Sequence, residues 1–210
     1  MPDTYTQITD HLRSAYNSES AKERDQGRIA PWKATERQAF LELLQQEGKT
    51  SLLEVGAGPG RDSLFFQQQG LRVTCTDLSP AMVALCREKG LEAHEMDFLS
   101  LDFPPASFDA IYALNCLLHV PTRDLPAVLQ KLQSLLKPGG LFFLGVYGGI
   151  EQEGLADQDW HNPPRFFSYH TDEYMKDITG RYFELVSFKT MQVDTHGGEW
   201  HFQALVLRRT

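Results

Sequence analysis

The middle of the chain alternates between strand-like and helical runs, and this alternation limits the fold more than any other feature. The β-type runs SLLEV, LRVTCT, LEAHEM, FDAIYAL and LFFLGVY, between Ser51 and Tyr147, are interleaved with the helical runs RDSLFFQQQ, PAMVALCREKG and LPAVLQKLQSLLK. This order is typical of a parallel sheet covered by helices. Turn signals agree with it, because Ser79 and Pro80 have the residue types of a helix start and Gly70 and Gly90 those of helix ends. The pattern therefore predicts a doubly wound α/β domain.

Two flanking regions complete the predicted single domain of 210 residues. Residues 4–17 and 31–47 have helical patterns separated by the polar stretch NSESAKERDQGR, and we expect 1–48 to form a helical cap or lid. Residues 49–147 would then be the cofactor-binding core. Residues 148–210 hold a polar and aromatic excursion, a helix near TDEYMKDITG, and the β-type runs YFELVSFKTMQV and EWHFQALVLRR joined by DTHGG. We expect this last region to provide a substrate-side excursion and a C-terminal β-hairpin.

Charge and hydropathy narrow the class of partner. Twenty Lys and Arg against 28 Asp and Glu give a formal net charge of −8, and no basic run could follow a phosphate backbone. We therefore expect a small-molecule substrate rather than nucleic acid. The N-terminal sequence MPDTYTQITDHLR has no secretory pattern, and the chain has no long apolar stretch. These features predict a cytoplasmic protein without a membrane partner.

A glycine-rich turn joins the first predicted strand to the next helix, over Leu52 to Asp62 with the sequence LLEVGAGPGRD. Glycine allows sharp turns and close approach of a ligand to the backbone, and the helix N-terminus offers free amide donors. Asp77 follows the second strand, where a doubly wound fold places a carboxylate that binds both ribose hydroxyls. A tight turn without a ligand, and an exposed or helix-capping aspartate, are the alternative interpretations. Because the glycine turn and Asp77 follow successive strands, the two features together favour a ligand site.

These residues resemble the class I S-adenosylmethionine-dependent methyltransferases. The segment EVGAGPG from Glu54 to Gly60 resembles the first motif of that family, and CTDLSPAMVALC, MDF, FDAIYALNCLLHV and LLKPGGLFFLGVY resemble later motifs in the same order. The resemblance covers about residues 35–208. It implies a Rossmann-like seven-stranded sheet, mostly parallel with an antiparallel last strand, and helices on both faces. It also implies S-adenosylmethionine as cofactor, S-adenosylhomocysteine as product, and in-line methyl transfer to a small-molecule acceptor.

The same resemblance implies roles for individual residues. Asp77 would bind the ribose hydroxyls, and Asp97 would accept from the exocyclic amino group of adenine. Asn115, at the edge after the fourth strand, is a candidate for contact with the methionyl end. The predicted cofactor-binding set is Glu54, Gly56, Ala57, Gly58, Gly60, Asp77, Leu78, Met82, Met96, Asp97, Phe98 and Asn115.

Residues for catalysis and acceptor binding are less sharply indicated. His119, after the fourth strand, is a candidate general base because its ordinary pKa lies near neutrality, or a packed histidine with local hydrogen bonds. Aromatic residues after strand five could line an acceptor pocket or pack the excursion onto the sheet. Arg28 and Trp32 could close over the cofactor or lie on an amphipathic helix edge. The predicted substrate residues are Tyr147, Trp160, Phe167 and His170.

The same residues also bear on other possible functions. A nicotinamide-dependent oxidoreductase shares the glycine turn and the acidic residue, but Arg61 occupies the position of the last fingerprint glycine. A cofactor-binding domain without turnover stays open, since motifs report binding rather than chemistry. Asn115-Cys-Leu-Leu118 differs from the Asn/Asp-Pro-Pro-aromatic motif of methyltransferases acting on nucleic-acid amino groups. No histidine, cysteine and carboxylate spacing indicates a metal site.

Overall fold

The computed structural model of the protein describes residues 3–16, 18–156, 159, 161–192 and 200–210. Its strands are β1 (Ser51–Val55), β2 (Arg72–Asp77), β3 (Glu92–Glu95), β4 (Phe108–Leu114), β5 (Leu136–Gly148), β6 (Gln152–Leu155), β7 (Phe166–Tyr169), β8 (Glu184–Gln192) and β9 (His201–Arg208). Its helices are α1 (Tyr5–Ala15), α2 (Ser18–Gln26), α3 (Pro31–Gln46), α4 (Arg61–Gln68), α5 (Pro80–Glu88), α6 (Leu125–Leu135) and α7 (Asp172–Gly180), with a 3-10 turn over Leu117–His119.

Seven strands form one sheet in the order β3-β2-β1-β4-β5-β9-β8. Strands β1 to β5 are parallel, whereas β9 runs antiparallel between β5 and β8. The predicted Rossmann-like sheet with an antiparallel last strand is therefore confirmed. The DTHGG connection predicted between the last two strands lies outside the described residues.

Helices cover both faces of this sheet because alternate residues of the central strands point in opposite directions. Leu52 of β1 packs with Ala110 of β4 and with Phe40 of α3 on one face. Leu53 of β1 packs with Ile111 of β4 and with the apolar side of α6 on the other. Every residue of β1 is buried. The continuous apolar run SLLEV is thus explained by a strand with no solvent-facing side.

Two elements of the fold differ from the sequence expectation. The polar stretch after α1 was expected to separate two helices, but it contains α2. This helix has no apolar stripe to predict it and is held by tertiary contacts: Ser20 and Ala21 are buried, and Asp25 pairs with Lys89 at 2.8 Å. The second difference is the small antiparallel sheet of β6 and β7 in the excursion, which is too short and polar to show a strand period.

Helices α1 and α2 and the first turn of α3 form a cap beside the carboxyl ends of the parallel strands, whereas the rest of α3 packs on one face of the sheet. Helix α1 begins with a capping box, in which Thr4 accepts from the Gln7 amide and the Gln7 side chain accepts from the Thr4 amide. Ile8 and Leu12 on its inner face pack with Phe166 of β7, so the cap also contacts the excursion. Within the described ranges, no helix combines the length and apolar character needed to cross a bilayer.

Candidate cofactor and acceptor site

A cavity of about 500 Å³ lies along the carboxyl ends of the parallel strands, below the N-terminal cap. An open α/β sheet binds ligands at this edge, because the loops after neighbouring strands diverge there. Thirteen of the predicted site residues line it: Glu54, Gly56, Ala57, Gly58, Asp77, Leu78, Met82, Met96, Asp97, Phe98, Asn115, His119 and Tyr147. Gly60, Phe167 and His170 do not, and Trp160 lies outside the described residues.

The glycines of the turn after β1 serve different purposes. Gly56 has a φ of +63°, and a Cβ added there would lie 2.4 Å from the Cβ of Cys116, so this position joins the loops after β1 and β4 closely. Gly58 has a φ of +56°, and a Cβ there would meet no described heavy atom within 4 Å. A Cβ at Gly60 would lie 2.7 Å from Leu91. Gly58 therefore exposes backbone to the cavity, while Gly56 and Gly60 permit internal packing.

Asp77, the last residue of β2, binds two backbone amides. Its Oδ2 accepts from the Gly58 amide at 2.8 Å, and its Oδ1 accepts from the Ser79 amide at 2.8 Å. Burial raises the pKa of Asp77, and the two amide donors oppose this effect. The N-cap of α5 is Ser79, whose hydroxyl accepts from Met82, so Asp77 does not cap that helix. Its carboxylate instead fixes the glycine turn and faces the cavity.

Glu54 lies behind the glycine turn and is almost wholly buried. The Ser63 hydroxyl of α4 donates to its Oε2. Burial, followed by the nearby charge of Asp62, raises the pKa of Glu54 well above its ordinary value. This arrangement links β1 to α4 across the turn, so Glu54 organises the glycine turn from behind.

Asp97, after β3, stabilises its own loop as well as lining the cavity. Its Oδ1 accepts from the amides of Leu99 at 2.8 Å and Ser100 at 3.1 Å. The Tyr5 hydroxyl of the cap reaches the same oxygen at 3.4 Å, and burial raises the pKa of Tyr5. The Ser100 hydroxyl donates to Oδ2 at 2.7 Å, so a ligand amino group would share this carboxylate with four donors of the protein.

Asn115 has an unusual backbone and an unsatisfied side chain. Its φ is +55°, a region that asparagine tolerates better than most residues, and its amide donates to the Gly145 carbonyl at 2.7 Å. Its Oδ1 is buried and has no hydrogen-bond partner in the described part of the chain. A buried acceptor without a donor is costly, so this atom is suited to a donor brought by a ligand.

Both ring nitrogens of His119 are engaged. Its Nδ1 lies 2.7 Å from the Phe166 carbonyl, and its Nε2 lies 2.7 Å from the Tyr16 hydroxyl. Because a carbonyl can only accept, Nδ1 carries the proton and the neutral ring accepts from Tyr16 at Nε2. Burial lowers the pKa of His119 to about 3. The geometry favours the packed interpretation of this histidine over the general base.

Tyr16 connects this histidine to the excursion. Arg165 donates from Nη1 to the Tyr16 hydroxyl at 3.1 Å and binds Asp159 with Nε at 2.8 Å and Nη2 at 3.0 Å. The Tyr16 carbonyl accepts from the Ser79 hydroxyl at 2.7 Å. One hydrogen-bonded network therefore joins the cap, the cofactor edge and the excursion on one side of the cavity.

The two described acceptor candidates that lie outside the cavity have packing contacts. The Phe167 ring stacks on Tyr169 at 5.3 Å and lies 4.7 Å from the His119 ring. His170 is buried, with Nδ1 3.1 Å from Glu151 and its ring stacked on Tyr174 at 4.4 Å. These contacts favour the alternative in which the aromatic residues hold the excursion on the sheet.

The cap contributes cavity residues that the sequence analysis did not identify. Tyr5, Thr9, Leu12 and Tyr16 recur at intervals of four and three and form one face of α1 directed at the cavity. This helical spacing is the signal that could have identified them. Arg28 and Trp32 also line the cavity, as the lid interpretation expected, and the remaining basic residues around it are Arg24, Lys33 and Arg61. Across the described residues, no cluster of His, Cys, Asp and Glu is arranged to hold a metal ion.

Comparison with known proteins agrees with this geometry. Residues 52–140 match a family model described as a methyltransferase domain. The ubiquinone biosynthesis O-methyltransferase of Xylella fastidiosa is 38% identical over 102 residues, which are 45% of this chain and 41% of that protein. The malonyl-(acyl-carrier protein) O-methyltransferase of Serratia marcescens is 26% identical over 145 residues, 68% of this chain and 52% of that protein. The chain thus spans about half or less of the length of these relatives.

Solved structures share the whole fold. The 1,6-didemethyltoxoflavin-N1-methyltransferase of Burkholderia thailandensis, solved with 1,6-didemethyltoxoflavin and S-adenosylhomocysteine, has a TM-score of 0.76 at 24% identity and covers 100% of this chain and 92% of its own. The cyclase SpnF has a TM-score of 0.66 at 18% identity, with 88% and 85% covered. The fold is the Rossmann-like fold of these S-adenosylmethionine-dependent methyltransferase structures. The match over residues 52–140 agrees with the resemblance found in the motifs.

Proposed function

We propose that this protein binds S-adenosylmethionine in the cavity and transfers its methyl group to a small-molecule acceptor by in-line displacement, releasing S-adenosylhomocysteine. The observation that carries the proposal is the meeting of Gly58, Asp77 and Asn115 in one cavity at the carboxyl edge of the sheet. Each offers a group that a nucleoside joined to an amino acid requires. The methyltransferase domain match supports the reaction class.

The cavity residues fit the two halves of the cofactor. Asp77 would accept from the ribose hydroxyls, and Met96 and Phe98 would contact the adenine ring. At the other half, the unpartnered Oδ1 of Asn115 would accept from the methionyl ammonium. Arg24 is a candidate for the methionyl carboxylate, because its Nε is buried without a hydrogen-bond partner among the described residues.

The residues of the chain would contribute mainly position and exclusion of water. When bound, the cofactor supplies an electrophilic methyl group on a sulfonium. Asp77 and Asn115 would hold the two ends, so that the methyl group has a fixed direction in the cavity. Tyr5, Leu12 and Tyr16 of the cap would cover this region. Such alignment lowers the barrier of a displacement reaction without a dedicated base.

His119 enters this proposal as a positioning residue. Its neutral ring holds the Tyr16 hydroxyl and thereby the end of α1 over the cavity.

We also propose that the chain forms one domain with three parts. Residues 1–48 would form the cap, residues 49–147 the cofactor-binding core, and residues 148–210 the excursion and the final strands. The excursion would support the cap rather than supply most acceptor contacts.

Calorimetric titration with S-adenosylhomocysteine tests the cofactor assignment. We expect saturable binding and a raised melting temperature, because a ligand that binds only the folded protein stabilises it. NADH is the control and should give neither effect. Nicotinamide binding in place of S-adenosylhomocysteine binding would overturn the proposal.

An acceptor screen tests turnover separately from binding. The protein is incubated with S-adenosylmethionine and a panel of small molecules, and formation of S-adenosylhomocysteine is followed. Cofactor binding with no product from any acceptor would favour a binding protein or another chemistry on this fold, which the cyclase SpnF shares.

A further inference from the structure

The cavity continues beyond the residues proposed for the cofactor, toward the end of β5. In the sheet order, β5 follows β4 and lies farthest from β3 among the parallel strands. Tyr147 of β5 lines this end together with Trp32 and Lys33 of α3. If the nucleoside lies at β2 and β3 and the methionyl part at β1 and β4, this end remains for the acceptor. The assignment of this end to the acceptor rests on the proposed function.

The two aromatic rings at this end are held by the core of the protein. The Trp32 ring lies 4.5 Å from the Phe202 ring, and the Tyr147 ring meets the same phenylalanine edge-on at 5.4 Å. Phe202 is fully buried in β9. Trp32 and Tyr147 therefore offer a fixed aromatic surface, which suits a flat apolar body.

Lys33 places its ammonium group beside these rings rather than beside a carboxylate. Its Nζ lies 5.2 Å from the centre of the Trp32 ring and 5.7 Å from that of Tyr147. No carboxylate of the described residues forms an ion pair with it within 4.0 Å. The contacts with the rings leave the hydrogen-bond donors of this ammonium available to a ligand.

The charges around Lys33 favour the binding of an anion beside its ammonium group. Burial is the main effect that lowers its pKa, and the positive charges of Arg24 and Arg61 add to it. Asp62 acts in the opposite direction, but its Oδ1 accepts from Arg37 at 2.6 Å. A half-buried cation among other cations gains most from a ligand that brings its own negative charge.

We propose that the methyl acceptor is a flat, anionic small molecule that lies against Trp32 and Tyr147 and pairs its acidic group with Lys33. This extends the proposed function by naming the chemical class of its acceptor. The aromatic surface would select the flat body, and the ammonium would select the negative charge. Lys33 would thus determine specificity.

The test compares flat carboxylates with their neutral amides. Benzoate, 3-hydroxybenzoate and 2-naphthoate, each with the matching primary amide, are titrated into protein saturated with S-adenosylhomocysteine and followed by ligand-observed NMR. We expect at least one carboxylate to bind about tenfold more tightly than its amide, because a charge-assisted hydrogen bond exceeds a neutral one by about this factor.

Lys33 variants then assign the charge. Lys33→Met should lower the affinity for that carboxylate about tenfold, while Lys33→Arg retains most of it. Both should bind S-adenosylhomocysteine within about twofold of the unchanged protein. Lys22→Met is the matched control, since Lys22 is exposed on α2 and does not line the cavity. Thermal unfolding of each variant shows whether it is folded.

Two results would overturn the inference. One is that no carboxylate binds more tightly than its amide. The other is that Lys33→Met loses affinity for S-adenosylhomocysteine and for the carboxylate equally, which would assign Lys33 to the methionyl carboxylate. If the unchanged protein does not bind S-adenosylhomocysteine, the proposed function itself fails, and the same carboxylate and amide comparison on ligand-free protein still tests the preference of Lys33.

Discussion

Replacement of Gly58 by alanine separates the backbone cost of the glycine turn from its contribution to ligand binding. Gly58 has a φ of +56°, and a new Cβ would contact no described heavy atom within 4 Å. The change should therefore cost only the strain of the left-handed conformation, about 1–2 kcal/mol of unfolding free energy. Urea unfolding of the ligand-free protein measures this cost.

The same variant should lose much of its stabilisation by ligand. At a concentration of S-adenosylhomocysteine about 100 times its Kd, the unchanged protein should gain about 2.7 kcal/mol, and a tenfold weaker Kd reduces this gain to about 1.4 kcal/mol. Gly48→Ala is the control, because Gly48 has a φ of +63°, equally open surroundings and no place in the cavity. It should show the same backbone cost and the full ligand gain.

Gly56→Ala completes the comparison. Here the left-handed strain is joined by a Cβ placed 2.4 Å from Cys116, so overpacking adds about 1–3 kcal/mol to a total of about 2–5 kcal/mol. Unfolding costs that were equal for Gly56→Ala and Gly58→Ala would refute the close approach of the two loops. Normal ligand stabilisation of Gly58→Ala would refute the position of the cofactor over that glycine.

Three further predictions concern the charged and hydrogen-bonded groups of the site. Asp77→Ala should weaken S-adenosylhomocysteine binding by about 2–3 kcal/mol in calorimetry, and an unchanged Kd would exclude the ribose contact. Tyr16→Phe should lower the unfolding free energy by about 1–3 kcal/mol, because His119 loses its donor; a variant as stable as the parent would contradict the network. Burial holds the pKa of His119 near 3 in the folded state against about 6.5 when unfolded, so only the unfolded chain gains this proton between these values. The stability that the neutral His119 provides is therefore fully present above pH 6.5, and it falls by up to about 1.4 kcal/mol per pH unit on acidification toward pH 3. The unfolding free energies of the parent and of His119→Gln, measured with urea, should diverge over this range. Parallel curves would contradict the lowered pKa of His119.

The parts of the fold predicted from the sequence are those governed by local chemistry. The strands β1, β2 and β4 can be recognised in the sequence as apolar runs, because both of their faces are covered. The helix that begins after Ser79 can be recognised by the residue type of its N-cap. The glycine turn and Asp77 could be placed in one site without coordinates, since the carboxyl ends of adjacent parallel strands meet at one edge. The same reasoning brought Asn115 and Tyr147 to that edge.

Contacts between distant parts of the chain decided the rest. Helix α2 is polar on all sides, and it exists because Ser20 and Ala21 find partners in the folded core that no local period reveals. His119 is separated from Tyr16 by 103 positions, so its protonation and its role depend on where the cap closes. The position of Lys33 in the cavity also depends on tertiary packing, because an amphipathic pattern does not indicate which lysine of a helix faces a cavity. The sequence by itself determined the edge of the sheet at which the cofactor site lies, through local periodicity and turn chemistry. Only tertiary packing determined which groups of the cap face that edge, because those contacts join residues far apart in the chain.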